Sequence, residues 1–298
     1  MSTDTKTILS GYAARTAENL KKYNKLLPEQ MPQKTVVDAM DHSLRAGGKR
    51  IRPALVYGFC KACGGSEKMA DAAASAIEMI HTFSLIHDDL PAMDDDDFRR
   101  GQPSCHKAFG EAAAILAGDA LAILPFAVIA DDEVLPAQAK VKLISALAKA
   151  AGRDGMIGGQ IIDMENEQRT DVDEQNLRNM YRHKTGELIA VSCVMGCICA
   201  GVTDEGKLSA AADYGYKLGL AFQIVDDILD VTSTTEELGK PVGSDEEENK
   251  TTFVTLYGVE KAQEIADSIT AEALGCLEVF GGDAFLKELT GMLLKRKN

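Results

Sequence analysis

The chain has 298 residues, 45% of them hydrophobic and 26% charged, with no Trp, few aromatics and a formal net charge of −14. That length suits one large domain or two small ones. Ala, Leu, Ile, Val and Met must build most of the core, which favours helices. The negative charge argues against nucleic acid or an anionic membrane as the main partner, because both call for a basic face. An anionic substrate stays open, since bound divalent cations or local basic groups reverse the sign inside a site.

The opening MSTDTKTILS has no charged start followed by an apolar stretch, so no signal peptide is expected. No uninterrupted apolar run reaches the roughly 20 residues that span a bilayer, so no stable membrane insertion is expected. The seven Cys are odd in number and follow no disulfide framework. Cys60 and Cys63 form a lone CxxC without the second pair of a zinc site. Cys193, Cys197 and Cys199 fall in the apolar run Leu188–Val202 and read as buried thiols. A reducing cytoplasm is the expected compartment.

Apolar residues recur at three- and four-residue spacing through Val36–Leu44, Ala54–Cys63, Ala70–His87, Ala112–Ala130 and Val141–Ala151. The pattern continues through Leu188–Ala200, Leu208–Val231, Lys261–Phe280 and Phe285–Leu294. Several of these segments are apolar nearly all round, as in the centre of a bundle. Short breaks at Ala46–Gly48, Gly64–Ser66, Gly152–Gly155 and Gly201–Gly206 read as helix connections. The longest irregular stretch, Thr232–Glu248, has the length and composition of a functional lid. No linker or repeat divides the chain. The expected fold is all-α, a single-domain helical bundle over residues 1–298 around a central cavity.

Three segments carry chemistry. The first is AGGKRIRP, Ala46–Pro53, where two glycines permit close backbone approach and Lys49, Arg50 and Arg52 supply cationic donors. It is not a P-loop, which needs GxxxxGK[ST] after a strand. The second is SLIHDDLPAMDDDDFRR, Ser84–Arg100. Asp88 and Asp89 end an apolar helix that Pro91 interrupts, and Asp94 returns after a bulge. Taken alone, Asp94–Asp97 reads as a solvated acidic loop. Its place at a helix end, with Arg99 and Arg100 just beyond, points instead to metal plus phosphate. The third is FQIVDDILDV, Phe222–Val231. Asp226 and Asp230 share a helix face with Gln223, while Asp227 is rotated away by about 100°. Carboxylates in such an apolar helix are costly to bury unless paired or metal-bound. Two such clusters suggest a multi-metal site that shields a polyphosphate leaving group.

Together these segments resemble the trans-isoprenyl diphosphate synthases, of the bacterial farnesyl-forming kind. The match covers almost the whole chain. It comprises GGKRIRP at Gly47–Pro53, HDDLPAMDDDDFRRG at His87–Gly101, GMIGGQIID at Gly155–Asp163 and HKTGEL at His183–Leu188. FQIVDDILD at Phe222–Asp230, GKPVGSD at Gly239–Asp245 and NKTTF at Asn249–Phe253 complete it. The resemblance implies the isoprenoid synthase bundle, a homodimer, and condensation of isopentenyl diphosphate with dimethylallyl and then geranyl diphosphate. It implies that Asp88 and Asp94 hold two Mg²⁺ ions and Asp226 a third, with Mn²⁺ as a substitute. Lys49, Arg52, His81 and Arg100 would bind isopentenyl diphosphate. Arg99, Lys184, Lys240 and, more weakly, Lys250 would bind the allylic diphosphate, and Thr185 and Gln223 would face the allylic cation. Phe83, five residues before Asp88, would floor the cavity and stop growth at farnesyl diphosphate. Geranyl or geranylgeranyl diphosphate synthases are the rival products within the family. A terpene cyclase would not need the GGKRIRP segment and His81, and a non-catalytic helical partner would not need intact metal clusters.

Overall fold

The computed structural model describes residues 3–24, 32–233 and 250–294. Fourteen α-helices are described: α1 Thr3–Asn24, α2 Lys34–Arg45, α3 Ile51–Ala62, α4 Glu67–Asp88, α5 Cys105–Phe109, α6 Glu111–Ala130 and α7 Ala137–Ala151. They continue with α8 Met156–Glu167, α9 Glu174–Tyr181, α10 Glu187–Cys199, α11 Glu205–Thr232, α12 Phe253–Tyr257, α13 Val259–Cys276 and α14 Ala284–Leu294. The only strands among these residues form a small antiparallel hairpin, β1 Phe98–Arg99 with β2 Gln102–Pro103. The all-α expectation holds.

The sequence explains the layout. α4 is rich in Ala and buried nearly all round, with Ile77, Met79, Ile80 and Ile86 in the core. It packs on α3 and α6, while α10 packs on α3 and α11. Burying each of those large side chains stabilises the fold by about 1.5–3 kcal/mol. Close approach is bought with small residues: a Cβ at Gly196 of α10 would crowd the Val56 carbonyl and Phe59 of α3. Polar caps start the later helices. Asp173 accepts from the Asn176 N–H at 2.9 Å, Asp204 from that of Lys207 at 2.7 Å, and Thr252 forms a reciprocal cap with Thr255.

Three differences from the sequence reading have physical causes. α1 is long but polar on average, so its sparse apolar residues gave weak periodicity. α8 begins GMIGG, which reads as a break because glycine disfavours helix. Lys261–Phe280 is one apolar pattern but divides into α13 and a 3₁₀ turn at Glu278–Phe280. The lid expected at Thr232–Glu248 lies almost wholly outside the described residues. One described helix, α6, is long and apolar enough to cross a membrane, with 39% of it buried. Its Asp119 interrupts the apolar run, and its inner face packs on α4.

Both α3 and α10 start beside a cavity and end together at the opposite pole, where Cys63 Sγ lies 3.7 Å from Cys197 Sγ. The C-terminal ends of α4 and α11 return to the cavity end. That arrangement brings all three chemistry-bearing segments to one place.

A candidate diphosphate and metal site

α4 ends at Asp88, ahead of Pro91, and the chain folds back immediately. The Met93 N–H donates to the Leu90 carbonyl at 2.8 Å and the Asp94 N–H to the Asp88 carbonyl at 2.9 Å. The expected return of Asp94 is therefore a closed turn. Burial pushes the Asp88 carboxyl up to about 6; nearby Lys184 and Arg99 oppose the rise, while Asp94 and Asp89 add to it. The surrounding protein also raises Asp94, against Lys184 and Lys250, although its side chain still reaches solvent. Asp89 is buried and accepts from Arg99 Nε at 2.8 Å, and Arg99 also reaches Asp96 at 2.7 Å. Asp89 thus anchors Arg99 beneath the two carboxylates.

A second wall comes from α11. Thr185 Oγ1 donates to Gln223 Oε1 at 2.8 Å, joining two side chains the sequence reading had paired. Asp226 lines the same cavity as Lys184, Thr185 and Lys250. Asp227, the residue expected off the face, is buried and accepts from Tyr181 Oη at 2.8 Å and the Phe253 N–H at 3.0 Å. It holds α9 and α12 onto α11. Lys184 and Thr185 sit on a π-helical turn, Arg182–Gly186, between α9 and α10. Such turns redirect side chains at functional sites. Gly159 of α8 lies so close to the Lys184 backbone that a Cβ would overlap it. Lys184 Nζ pairs with buried Asp163, and Lys250 with Glu167 at 3.2 Å. Lys240 lies outside the described residues.

A basic pocket adjoins the carboxylates. Arg52 and His81 line one cavity with Asp88 and Lys184. Burial pulls the Arg52 guanidinium down to about 10, Glu78 opposes this, and Arg100 adds to it. Burial also drives His81 well below its usual range, assisted by Arg52, Arg100, Arg50 and Arg99. His81 is therefore neutral. Arg52 Nε is buried and has no hydrogen-bond partner. Cations that depress one another around an unsatisfied donor form a ready anion site. Arg100 donates to the Gly47 carbonyl, and a Cβ at Gly48 would meet its guanidinium at 2.7 Å. The glycine pair of GGKRIRP therefore makes room for Arg100. Lys49 is exposed beside it. Arg50 does not face this pocket: it is buried, adopts a left-handed backbone and pairs with Glu78 and the Leu44 carbonyl.

A model of the polyprenyl synthetase family matches residues 33–278. The chain belongs to that family. It is 49% identical over 228 residues to a farnesyl diphosphate synthase of Geobacillus stearothermophilus, covering 76% of each chain. It is 41% identical to a geranylgeranyl diphosphate synthase of Cyanophora paradoxa, covering 92% of each. Among solved structures it is similar to an FPP/GFPP synthase of Zymomonas mobilis, with a TM-score of 0.88, 33% identity and coverage of 99% of this chain and 100% of that one. A geranyltransferase of Legionella pneumophila superposes with a TM-score of 0.87 at 36% identity, over 98% and 96% of the two chains. The isoprenoid synthase fold and prenyltransferase class expected from the sequence are thereby established.

The cavity that Arg52, His81 and Asp88 line is largely apolar further in. It holds about 470 Å³ and runs past Asp88 to Phe83, His87, Ile157, Ile161 and Met164. The Phe83 ring is buried and packs edge-on against His87, with centroids 5.6 Å apart. His87 Nε2 lies 3.1 Å from the Ile115 carbonyl of α6, in a slot that Gly118 leaves open. Sequence reasoning found Phe83 but missed His87, the α8 wall and the anchors Asp163, Glu78 and Tyr181. Asp163 closes the GMIGGQIID segment, the one signal available for it. The others meet their partners only through tertiary contact.

One further cluster stands outside the cavity. Among the described residues, Asp95, Asp97 and His106 alone bring three His, Cys, Asp or Glu ligand atoms within 4.8 Å of one another.

Proposed function

We propose that this prenyltransferase condenses isopentenyl diphosphate with dimethylallyl and then geranyl diphosphate to give farnesyl diphosphate. One observation carries the reading. The Asp88 carboxylate, with Asp94 turned back beside it, lines one largely apolar cavity with Arg52 and neutral His81, and Arg100 lies near enough to lower both. Two diphosphates and a hydrocarbon tail need those three environments together.

Asp88, Asp94 and Asp226 offer carboxylate oxygens, the donors that Mg²⁺ takes, and a cation there would offset the burial, and the neighbouring Asp94 and Asp89, that raise Asp88. They would hold three Mg²⁺ ions, or Mn²⁺ in their place. When bound, the metals shield the allylic diphosphate and lower the cost of its departure. Lys184, Arg99 and Lys250 bind that diphosphate alongside. Lys49, Arg52, His81 and Arg100 hold isopentenyl diphosphate, with neutral His81 donating a single N–H. Thr185 and Gln223 turn their polar ends toward the allylic cation and stabilise it electrostatically. The isopentenyl double bond attacks, and its proton passes to the departing diphosphate. Holding the two reactants in register supplies much of the rate.

Phe83 closes the cavity at a length that favours the farnesyl product. The rival product is geranylgeranyl diphosphate, named for the Cyanophora relative. We further propose a homodimer through α6, whose outward Ile115, Leu116 and Ile123 are exposed, working in the cytoplasm. Product chromatography after incubation with isopentenyl and dimethylallyl diphosphates tests the reaction and its product length. Geranylgeranyl diphosphate as the main product would remove the farnesyl assignment.

A further inference from the structure

The acidic run Asp94–Asp97 faces two ways. Asp94 lies within the field of Lys184 and Lys250 at the cavity. Asp95 and Asp97 meet the segment after the hairpin instead, where Lys107 Nζ is 2.7 Å from Asp97 Oδ1 and 3.9 Å from Asp95 Oδ1. His106 stands beside them. It is 6% exposed, and its Nε2 is buried, has no hydrogen-bond partner and lies 3.9 Å from Asp95 Oδ1. Its other nitrogen, Nδ1, is 3.1 Å from the hydroxyl of Ser104, which is 1% exposed.

We propose that Asp95, Asp97 and His106 form a binding site for one transition-metal dication of the Zn²⁺ or Co²⁺ class, distinct from the site for the substrate metals.

The donor set decides the class of ion. Mg²⁺ prefers oxygen donors alone, whereas an imidazole with two carboxylates suits Zn²⁺ or Co²⁺. With Nδ1–H donating to Ser104, Nε2 keeps a free lone pair within 4.8 Å of carboxylate oxygens of Asp95 and Asp97, and a hydrogen bond of this kind commonly orients a ligating imidazole. A buried acceptor and two anionic oxygens then converge, with Lys107 the cation in contact with them among the described residues. A tetrahedral ion with bonds of about 2.0–2.1 Å needs its ligands roughly 3.3 Å apart. The present spread of up to 4.8 Å closes by movement of Asp95 and Asp97, whose side chains are 60% and 62% exposed, while His106 stays fixed. Lys107 contacts the oxygens the ion would take, so the two cations compete.

The position gives such an ion a task. The Ser104 N–H donates to the Asp97 carbonyl at 2.9 Å, and these two residues flank the hairpin that carries Arg99 on β1 and Arg100 in its turn. A bound ion ties Asp97 to His106 across that base. It therefore stiffens the loop that presents both arginines. That consequence rests on the diphosphate reading; the site itself does not.

The test uses the full chain, stripped with chelator and then held in excess Mg²⁺. Zn²⁺ is titrated by calorimetry, and Co²⁺ by visible absorption. The expected result is one equivalent per chain that Mg²⁺ does not displace, with nitrogen–oxygen bands and no thiolate charge transfer. Asp97→Asn and His106→Gln should weaken it at least ~10-fold, and Lys107→Met should tighten it. Asp88→Asn should leave it in place, which separates this site from the substrate metals. Should His106→Gln fail to fold, the exposed Asp97 and Lys107 variants still decide. The proposal is overturned if the equivalent disappears in Asp88→Asn, shows thiolate bands, or is indifferent to both Asp97→Asn and Lys107→Met. The 3.9 Å ion-pair contact between His106 and Asp95 would then be the whole content of the cluster.

Discussion

The Asp94 N–H donates to the Asp88 carbonyl across 2.9 Å, closing the turn that brings the third acidic residue back beside the helix end. Pro91 forces the exit from α4, and this bond makes the exit compact. The placement of the two carboxylates proposed to hold metal is therefore built into the backbone, with the Asp89–Arg99 pair beside it.

Asp88→Asn is expected to lower kcat at least ~100-fold, since it removes charge aimed at the leaving group. The same change should stabilise the metal-free protein. The Asp88 carboxyl titrates near 6 in the fold and near 3.9 when unfolded. Its contribution is full below the lower value and lost as pH rises through the upper one. At neutral pH the metal-free variant should melt a few degrees higher than the wild type, about what one or two kcal/mol gives at this size. Melting curves with and without chelator, beside steady-state rates, check both halves. An inactive variant with an unchanged melting point would mean that the cost of burying the Asp88 carboxylate is not felt by the fold.

His81 gives the opposite slope. The unfolded chain takes up a proton on histidine near pH 6.5, but burial and four arginines keep His81 neutral in the fold. Its contribution is present above about 6.5 and fades as pH falls below it. The substrate-free wild type should lose melting temperature from about pH 7 to 5.5 more steeply than His81→Gln. Parallel curves for the two proteins would contradict the assignment.

Gly48→Ala tests the close approach behind the glycine pair. The residue has φ 115°, and an added Cβ would meet the Arg100 guanidinium. The variant should raise KM for isopentenyl diphosphate ~10-fold, the equivalent of about 1.4 kcal/mol, and change KM for the allylic substrate little. Equal rises for both substrates would point to general damage instead.

Much of this was legible in the sequence, and the limits are physical. Helices apolar nearly all round, such as α4 and α10, announce themselves, and so do two aspartate clusters, one at a helix end and one at helical spacing. Pairings across the bundle do not. Arg50 reads like its neighbours Lys49 and Arg52, yet only tertiary packing reveals that Glu78 removes it from the pocket. Asp227 reads like Asp226, but Tyr181 and the Phe253 N–H claim it for structure. α8 was hidden by the glycines that let it touch the Lys184 turn. In each case a residue serves a partner far away in sequence, and spacing carries no record of that partner.

Phe83→Ala opens the floor. The ring is buried, lines the cavity and packs against His87. The variant should shift the main product from farnesyl to geranylgeranyl diphosphate, read by chromatography after dephosphorylation. An unchanged product spectrum would remove Phe83 from that role and leave His87 and the α8 wall to set the length.

The most direct test of the central claim is incubation of the purified chain with isopentenyl and dimethylallyl diphosphates, with Mg²⁺ and with chelator, followed by product sizing. The expected result is metal-dependent condensation with farnesyl diphosphate as the main product. No condensation in the presence of Mg²⁺ by a folded protein would contradict the reading of Asp88, Asp94 and the basic pocket as a paired diphosphate site.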